Sequence, residues 1–323
     1  MFLASVGLIS TVGNILIIYV IRQSRELTHS QYVYKTSIAV CGVIWSSFLF
    51  FIFGFVSYTF LTPNIGMKCG SLRLRNNLSD VTVANVSCHL FARNFTEQSS
   101  MVCFLIFVGV GYFLAMTSFT ASFVTLVFAA GDRFFALAFP NKYRKTNAVK
   151  TAENLSVFTW ILSTLVTVVT VYRSQNDACQ TLFLQPAACD SSQQNFVSVL
   201  LLVSFTLLWL FTLLTLKSLH KGSKRSSELV RRKSKKVDAE KETSFVLIFM
   251  VFAFTFSLSP TLYNHIKHNV SKQNYEKFQR TFDLNQMVAV CFLSTNSIWN
   301  VLIYIVLSKK IRLGLKALFK NTR

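Results

Sequence analysis

Residues 101–131 contain no Asp, Glu, Lys or Arg, and the pair Asp132-Arg133 follows at once. An α-helix needs roughly 20 apolar residues to cross a hydrocarbon core of about 30 Å, so this run is long enough to be a membrane span. Phe134, an apolar run over 135–139 and Pro140 come next. An acid and a base at this point mark the level where the span meets an interface. Charges beside apolar neighbours are costly unless paired, so the pair is also a candidate latch at the mouth of a helix bundle.

The same pattern recurs. Runs free or nearly free of charge cover residues 1–21, 36–67, 101–131, 154–172, 191–216, 243–266 and 284–308, in a chain that is 52% hydrophobic with mean hydropathy +0.45. Seven spans are therefore predicted, an all-α seven-transmembrane bundle over 1–307, with the termini on opposite sides. A basic linker, 217–243, lies inside that unit, and 308–323 form a short tail. Span one has no charged region before it and no small-residue cleavage site, so it is not expected to be removed as a signal peptide.

Orientation follows from the basic residues. Of the 33 Lys and Arg, 24 fall after spans one, three, five and seven, Lys35 among them. That side is predicted to be cytoplasmic, facing anionic lipid and partner proteins. The net charge of +20 is mostly this surface, and no aromatic-interleaved basic fold points to nucleic acid. Sequons agree: Asn77, Asn85, Asn94 and Asn269 all fall on the predicted outer side as glycosylation sites. Cys41 and Cys291 lie inside spans and are expected to pack as small apolar residues. Cys69, Cys88, Cys103, Cys179 and Cys189 lie outside, where disulfides form. Five is odd, so at least one stays free or pairs between chains.

Polar residues inside the spans are few. Asn14 is expected to bond across to a neighbouring helix. Pro260 interrupts span six, and Asn296, Asn300 and Tyr304 lie in span seven. In the tail, Ile311, Leu315, Leu318 and Phe319 form one stripe flanked by Lys and Arg, which predicts an interfacial amphipathic helix.

Together these residues resemble a class A (rhodopsin-like) G-protein-coupled receptor over nearly the whole chain. The match rests on Gly13-Asn14, Ser37-Ile-Ala-Val, Asp132-Arg133-Phe134 with Pro140 seven residues past the arginine, Trp160, Pro260, Asn300-Val-Leu-Ile-Tyr304 and the amphipathic eighth helix. The resemblance implies that Arg133 contacts a heterotrimeric G protein and that Asp132 restrains it at rest. It further implies Glu240 as an acidic partner of Arg133, Leu126 as an apolar lock and Tyr304 as a residue that swings inward. The alternative for Glu240 is a solvated linker charge beside Lys241 and Glu242. An extracellular ligand would meet Tyr112, Met116, Tyr263, Asn264, His265 and Gln286. A disulfide would join Cys103 to Cys179 or Cys189. Membrane lipid and arrestin are further implied partners, the latter through Ser223, Ser226, Ser227 and Ser234 of the linker. No cofactor or metal is implied.

The chain departs from the family pattern at several places. The acidic residue of span two is Gly42, although Ser122, Asn296 and Asn300 match its usual polar neighbours. Leu258 replaces the aromatic switch, Val301 replaces the span-seven proline, and span five has no proline. Span seven has no lysine for a retinal Schiff base, and Ala115 stands where amine receptors place an acid. A transporter would need ionisable residues or broken helices at mid-membrane. An enzyme would need paired carboxylates, a metal cluster or a nucleophile–base pair within the bundle. Neither pattern is present, so a plasma-membrane receptor with an outer N-terminus is expected, with an atypical, non-signalling binding receptor as the alternative.

Overall fold

A computed structural model describes the backbone of residues 2–23, 30–61, 66–72, 85–91, 95–143, 145–176, 191–228, 234–270 and 275–321. It describes side chains within 3–23, 30–54, 109–143, 145–170, 202–220, 242–263, 288–289 and 291–318. The elements in order are α1 (Phe2–Gln23), α2 (Ser30–Leu61), β1 (Gly66–Leu72), β2 (Asn85–Phe91), α3 (Phe95–Ala138), α4 (Pro140–Tyr143), α5 (Ala148–Asn176), α6 (Ser191–Glu228), α7 (Ser234–Val270), α8 (Tyr275–Leu307) and α9 (Lys309–Asn321).

Six of these helices hold a stretch long and apolar enough to cross a membrane: Leu3–Gln23, Ser30–Gly54, Gly109–Ala138, Ala148–Thr170, Leu202–His220 and Glu242–Tyr263. A seventh candidate is Cys291–Leu307 of α8, which qualifies together with Lys309–Leu318 of α9, the two meeting at a bend of 90°. The seven-helix expectation therefore holds. Its boundaries shift, however. The second helix begins at Ser30, which draws Lys35 inside it, and it ends at Leu61. Residues 66–67, expected in that span, belong instead to a two-stranded antiparallel hairpin in which Cys69 is directly opposite Cys88. The basic linker is helical at both ends, as extensions of α6 and α7.

The spans are apolar on their outer surface, and their few polar side chains lie within, among the buried apolar residues of the core. Leu8, Ile15, Phe51, Ile161, Leu213 and Phe252 are exposed, whereas Ser10, Asn14, Ser46, Ser118, Thr159 and Ser163 are fully buried. Some interior hydroxyls bond back along their own helix, as Thr159 does on the Leu155 carbonyl at 2.8 Å and Thr167 on the Ser163 carbonyl at 2.9 Å. Others tie helices together: Thr11 Oγ1 lies 2.8 Å from Ser46 Oγ, and Trp209 Nε1 donates to Thr255 Oγ1 at 3.2 Å. α3 is central and touches α2, α5, α6 and α7.

The tail forms the amphipathic helix that its stripe predicts. Ile311 is fully buried and Leu315 packs against the core, while Lys309, Lys310 and Lys316 are exposed. α9 lies so close to α1 that a Cβ at Gly314 would overlap Val20 Cγ1. Valine is stiff at χ1, so it has little room to yield. Gly314→Ala is expected to cost about 1–3 kcal/mol by overpacking, read as a lower melting temperature of the detergent-solubilised protein. Adding Val20→Ala should recover most of the loss; a double variant no more stable than Gly314→Ala would show that another contact is responsible.

Candidate functional site

The end of α3 carries the densest polar cluster among the described residues. Asp132 Oδ2 accepts from Gln31 Nε2 at 2.7 Å and from Ser30 Oγ at 3.1 Å, and Tyr143 OH donates to Oδ1 at 2.8 Å. The Ser30 and Tyr143 oxygens are themselves 2.9 Å apart. Two hydroxyl protons thus serve three contacts. The cluster joins the first turn of α2 to α3 and to α4, whose start at Pro140 swings Tyr143 back under the bundle. Burial foremost, and the Asp132 carboxylate after it, push the Tyr143 phenol above its ordinary value, while the Ser30 hydrogen bond pulls it back. The phenol therefore stays protonated at neutral pH and able to donate.

Arg133 is buried, only 8% exposed, and its Nη2 reaches Asp132 Oδ2 at 3.4 Å. That distance is long for a charge-assisted bond, because the carboxylate is already engaged by three stronger donors. Arg133 Nε has no hydrogen-bond partner. The Glu240 side chain lies outside the described residues. Glu242 is no free linker charge: its Oε1 accepts the backbone N–H of Lys309 at 2.7 Å. A carboxylate from α7 thus caps the N-terminus of α9, where unpaired N–H groups and the helix dipole favour an acid. Phe134 points into an aromatic cluster, with ring centroids 6.2 Å from Phe139 and 6.3 Å from Phe211 of α6.

Above this level Leu126 is buried in the main core with Val246, Leu247 and Met250 of α7. Tyr304 is fully buried and its hydroxyl has no partner; Asn300 is buried one turn away. Lys35, counted by composition among the cytoplasmic surface charges, is buried too. Its Nζ stands 4.9 Å from the Tyr32 ring centroid and 5.8 Å from that of Tyr304.

At mid-bundle the departures from the family pattern have structural consequences. A Cβ at Gly42 would lie 2.8 Å from Asn14 Nδ2, so the Asn14 amide occupies the space where a span-two acid would stand. Asn14 Nδ2 donates to the Ser10 carbonyl at 2.8 Å and approaches the Ser297 carbonyl at 3.5 Å. Asn14 therefore bridges α1 toward α8, as expected of it. These residues do not fit a bound cation, since the carboxylate is missing and its place is filled. Val301, in place of the family's proline, packs its methyls against Gly13. Leu258 is buried, and the aromatic contact lies one turn earlier on α7. Phe254 stacks on Phe123 at 4.9 Å and on Phe119 at 5.9 Å, and Trp45 extends the column at 5.6 Å from Phe119.

Of the outer residues, Tyr112 and Met116 are half-buried on α3, whereas Tyr263 is 59% exposed. The side chains of Asn264, His265 and Gln286 lie outside the described residues, as do those of Cys103, Cys179, Cys189, Asn77, Asn85, Asn94 and Asn269. Cys41 and Cys291 are both free thiols, the first buried and the second half-buried. Two functional candidates are invisible in the linear pattern, Lys35 and Phe254. Phe119 and Phe123, spaced by four on α3, are the only local hint of the aromatic column.

The family profile described as 7 transmembrane receptor (rhodopsin family) matches residues 77–304. No curated protein matches the chain.

Tyr143→Phe leaves Asp132 Oδ1 one donor short in a half-buried site. Such a loss costs about 1–3 kcal/mol, expected as a drop in melting temperature, and Gln31→Leu should act likewise. Because both serve one carboxylate, the double variant should lose less than the sum of the two. Strict additivity would mean that the groups do not share Asp132.

Proposed function

This chain belongs to the rhodopsin family of seven-transmembrane receptors, and on that footing we propose that it binds an extracellular ligand and activates a heterotrimeric G protein. It is a multi-pass membrane receptor; the plasma membrane, an outer N-terminus and glycans at Asn77, Asn85, Asn94 and Asn269 complete the reading. The observation that carries it is Arg133. A buried guanidinium held by one long contact, with Nε unpaired, is poised to leave Asp132 for another acceptor. An uncompensated buried donor is costly, so a partner that supplies acceptors at this level stabilises a rearranged state. Arrestin would read the linker serines Ser223, Ser226, Ser227 and Ser234 once phosphorylated.

The ligand would enter near Tyr112 and Met116. The outer Lys and Arg, including Lys68, Arg73, Arg173 and Lys267, favour an acidic or anionic ligand over a cationic one by steering. The disulfide of Cys103 with Cys179 or Cys189 belongs to the same face. Glu240, twenty residues before Pro260 on α7, reaches the level of Arg133 at about 1.5 Å per residue.

A panel of G-protein dissociation sensors, read for basal activity, tests the reading. Arg133→Ala is expected to abolish the signal with surface expression intact. Glu240→Ala is expected to raise it up to about tenfold, the effect of roughly 1.4 kcal/mol on a two-state equilibrium. Basal signalling that survives Arg133→Ala at matched expression would sink the coupling role. A well-expressed parent that dissociates no G protein would favour the non-signalling binding receptor, a reading that Leu258 and Val301 at the switch positions support.

Orientation is checked separately. A protease site inserted within 221–236 should be cut only in permeabilised cells, and cleavage in intact cells would reverse the topology.

A further inference from the structure

Among the described residues, Lys35 is the one buried charged group that neither the Asp132 cluster nor the family pattern explains. α2 begins at Ser30, so Lys35 lies more than one turn inside the helix, and it is only 6% exposed. Its neighbours are the faces of Tyr32 and Tyr304. Among the described residues no carboxylate lies within ion-pair distance of its Nζ. The charges that face it are Arg133, Glu242 and Lys310, two cations and one acid, and the acid is engaged with the Lys309 N–H.

Two effects oppose each other. Cation–π contact favours the closed arrangement, but it is smaller than the penalty for taking an ammonium out of water without a counter-ion. The penalty dominates, so Lys35 works against the closed state. A cavity of about 10 Å³, lined among others by Gln31, Lys35, Ala129, Thr243, Met250 and Tyr304, lies beside it. That is room for about one water. Arg133 is one turn beyond Ala129 on the same face of α3, so widening this cavity toward the cytoplasm would uncover two cations side by side.

We propose that Lys35 is the receptor for a carboxylate that the cytoplasmic partner inserts between α2, α3, α7 and α8. This rests on the coupling reading above and adds the chemistry of the contact. Lipid phosphate is the weaker source, because Lys35 points into the space between helices and away from the perimeter. A protein segment entering from the cytoplasmic end reaches it and supplies the missing counter-charge. Lys35 thereby penalises the empty resting state and rewards the occupied one.

Two measurements test the proposal. The first needs no partner. In a Cys291→Ser background, Thr243→Cys places a thiol at the cavity, and its reaction rates with an anionic sulfonatoethyl and a cationic trimethylammonium-ethyl methanethiosulfonate are compared. The anionic reagent should be favoured. Lys35→Met should lower that preference by several-fold, Lys35→Arg should keep it, and Lys310→Met, which removes an exposed charge, should lower it less. The second uses the otherwise unmodified chain in the dissociation panel. Lys35→Met should reduce coupling at least about tenfold, as for loss of one member of a buried charge pair, with Lys35→Arg restoring it.

An unchanged reagent preference in Lys35→Met overturns the anion site. A preference that falls while coupling stays at the parental level overturns the partner's carboxylate. If the preference falls but no variant, the parent included, couples to any G protein, the anion site stands and the coupling reading fails. Should Thr243→Cys not reach the surface, the coupling arm decides alone, since it needs only the substitutions at position 35.

Discussion

A hydrocarbon solvent offers no hydrogen bonds, and the whole arrangement depends on that. A polar group within a span can find a partner only in the protein, and one that does not is costly. Serine, threonine and asparagine therefore lie on the inside of the bundle, among the buried apolar side chains, and leucine, isoleucine and phenylalanine cover its surface. Several small hydroxyls turn back on their own helix or reach across to the next. The carboxylate of Asp132 cannot be satisfied in this way. It draws Ser30, Gln31 and Tyr143 toward one point, and so anchors the start of α2 and the turn after α3.

That anchoring leaves Arg133 incompletely paired. The guanidinium takes the fourth and longest contact on a carboxylate with better donors. Restraint of the arginine is thus weak by construction, and the tighter bonds hold the scaffold around it. Glu242 follows the same logic. It is placed to cap α9, which is itself pressed on α1 through Gly314, so α1, α7, α8 and α9 are coupled mechanically at one end of the bundle.

The departures from the family pattern form a coherent set. With Gly42 in place of an acid, Asn14 moves into the vacated volume and the mid-bundle site becomes a packed junction. With Leu258 in place of an aromatic ring, Phe254, Phe123, Phe119 and Trp45 provide the aromatic contact between α7, α3 and α2. With Val301 in place of proline, α8 stays regular and seats its methyls on Gly13. Charge is thereby removed from the middle of the bundle. It reappears near the start of α2, at Lys35.

Much of the fold was legible in the linear chain. Charge-free runs longer than a bilayer's thickness leave few options besides spanning helices. The stripe of Ile311, Leu315 and Leu318 among lysines leaves few besides an interfacial one. Asp132-Arg133 was legible as a pair for the same reason: two charges ending a long apolar run cannot be incidental. These features depend on composition over one or a few helical turns, which is information that the sequence carries locally. What only the tertiary structure decided is which charges are buried and with whom. Lys35 looks like a surface residue in its own neighbourhood and becomes an interior one because α3, α7 and α8 close around it. Glu242 looks like a solvated linker charge until the bend after α8 brings the Lys309 N–H to it. The hairpin with Cys69 opposite Cys88 extended beyond any apolar signal. Two donors of Asp132, Ser30 and Gln31, stand about a hundred residues away in the chain. Their meeting depends on the packing of whole helices, and no local pattern of residues encodes it.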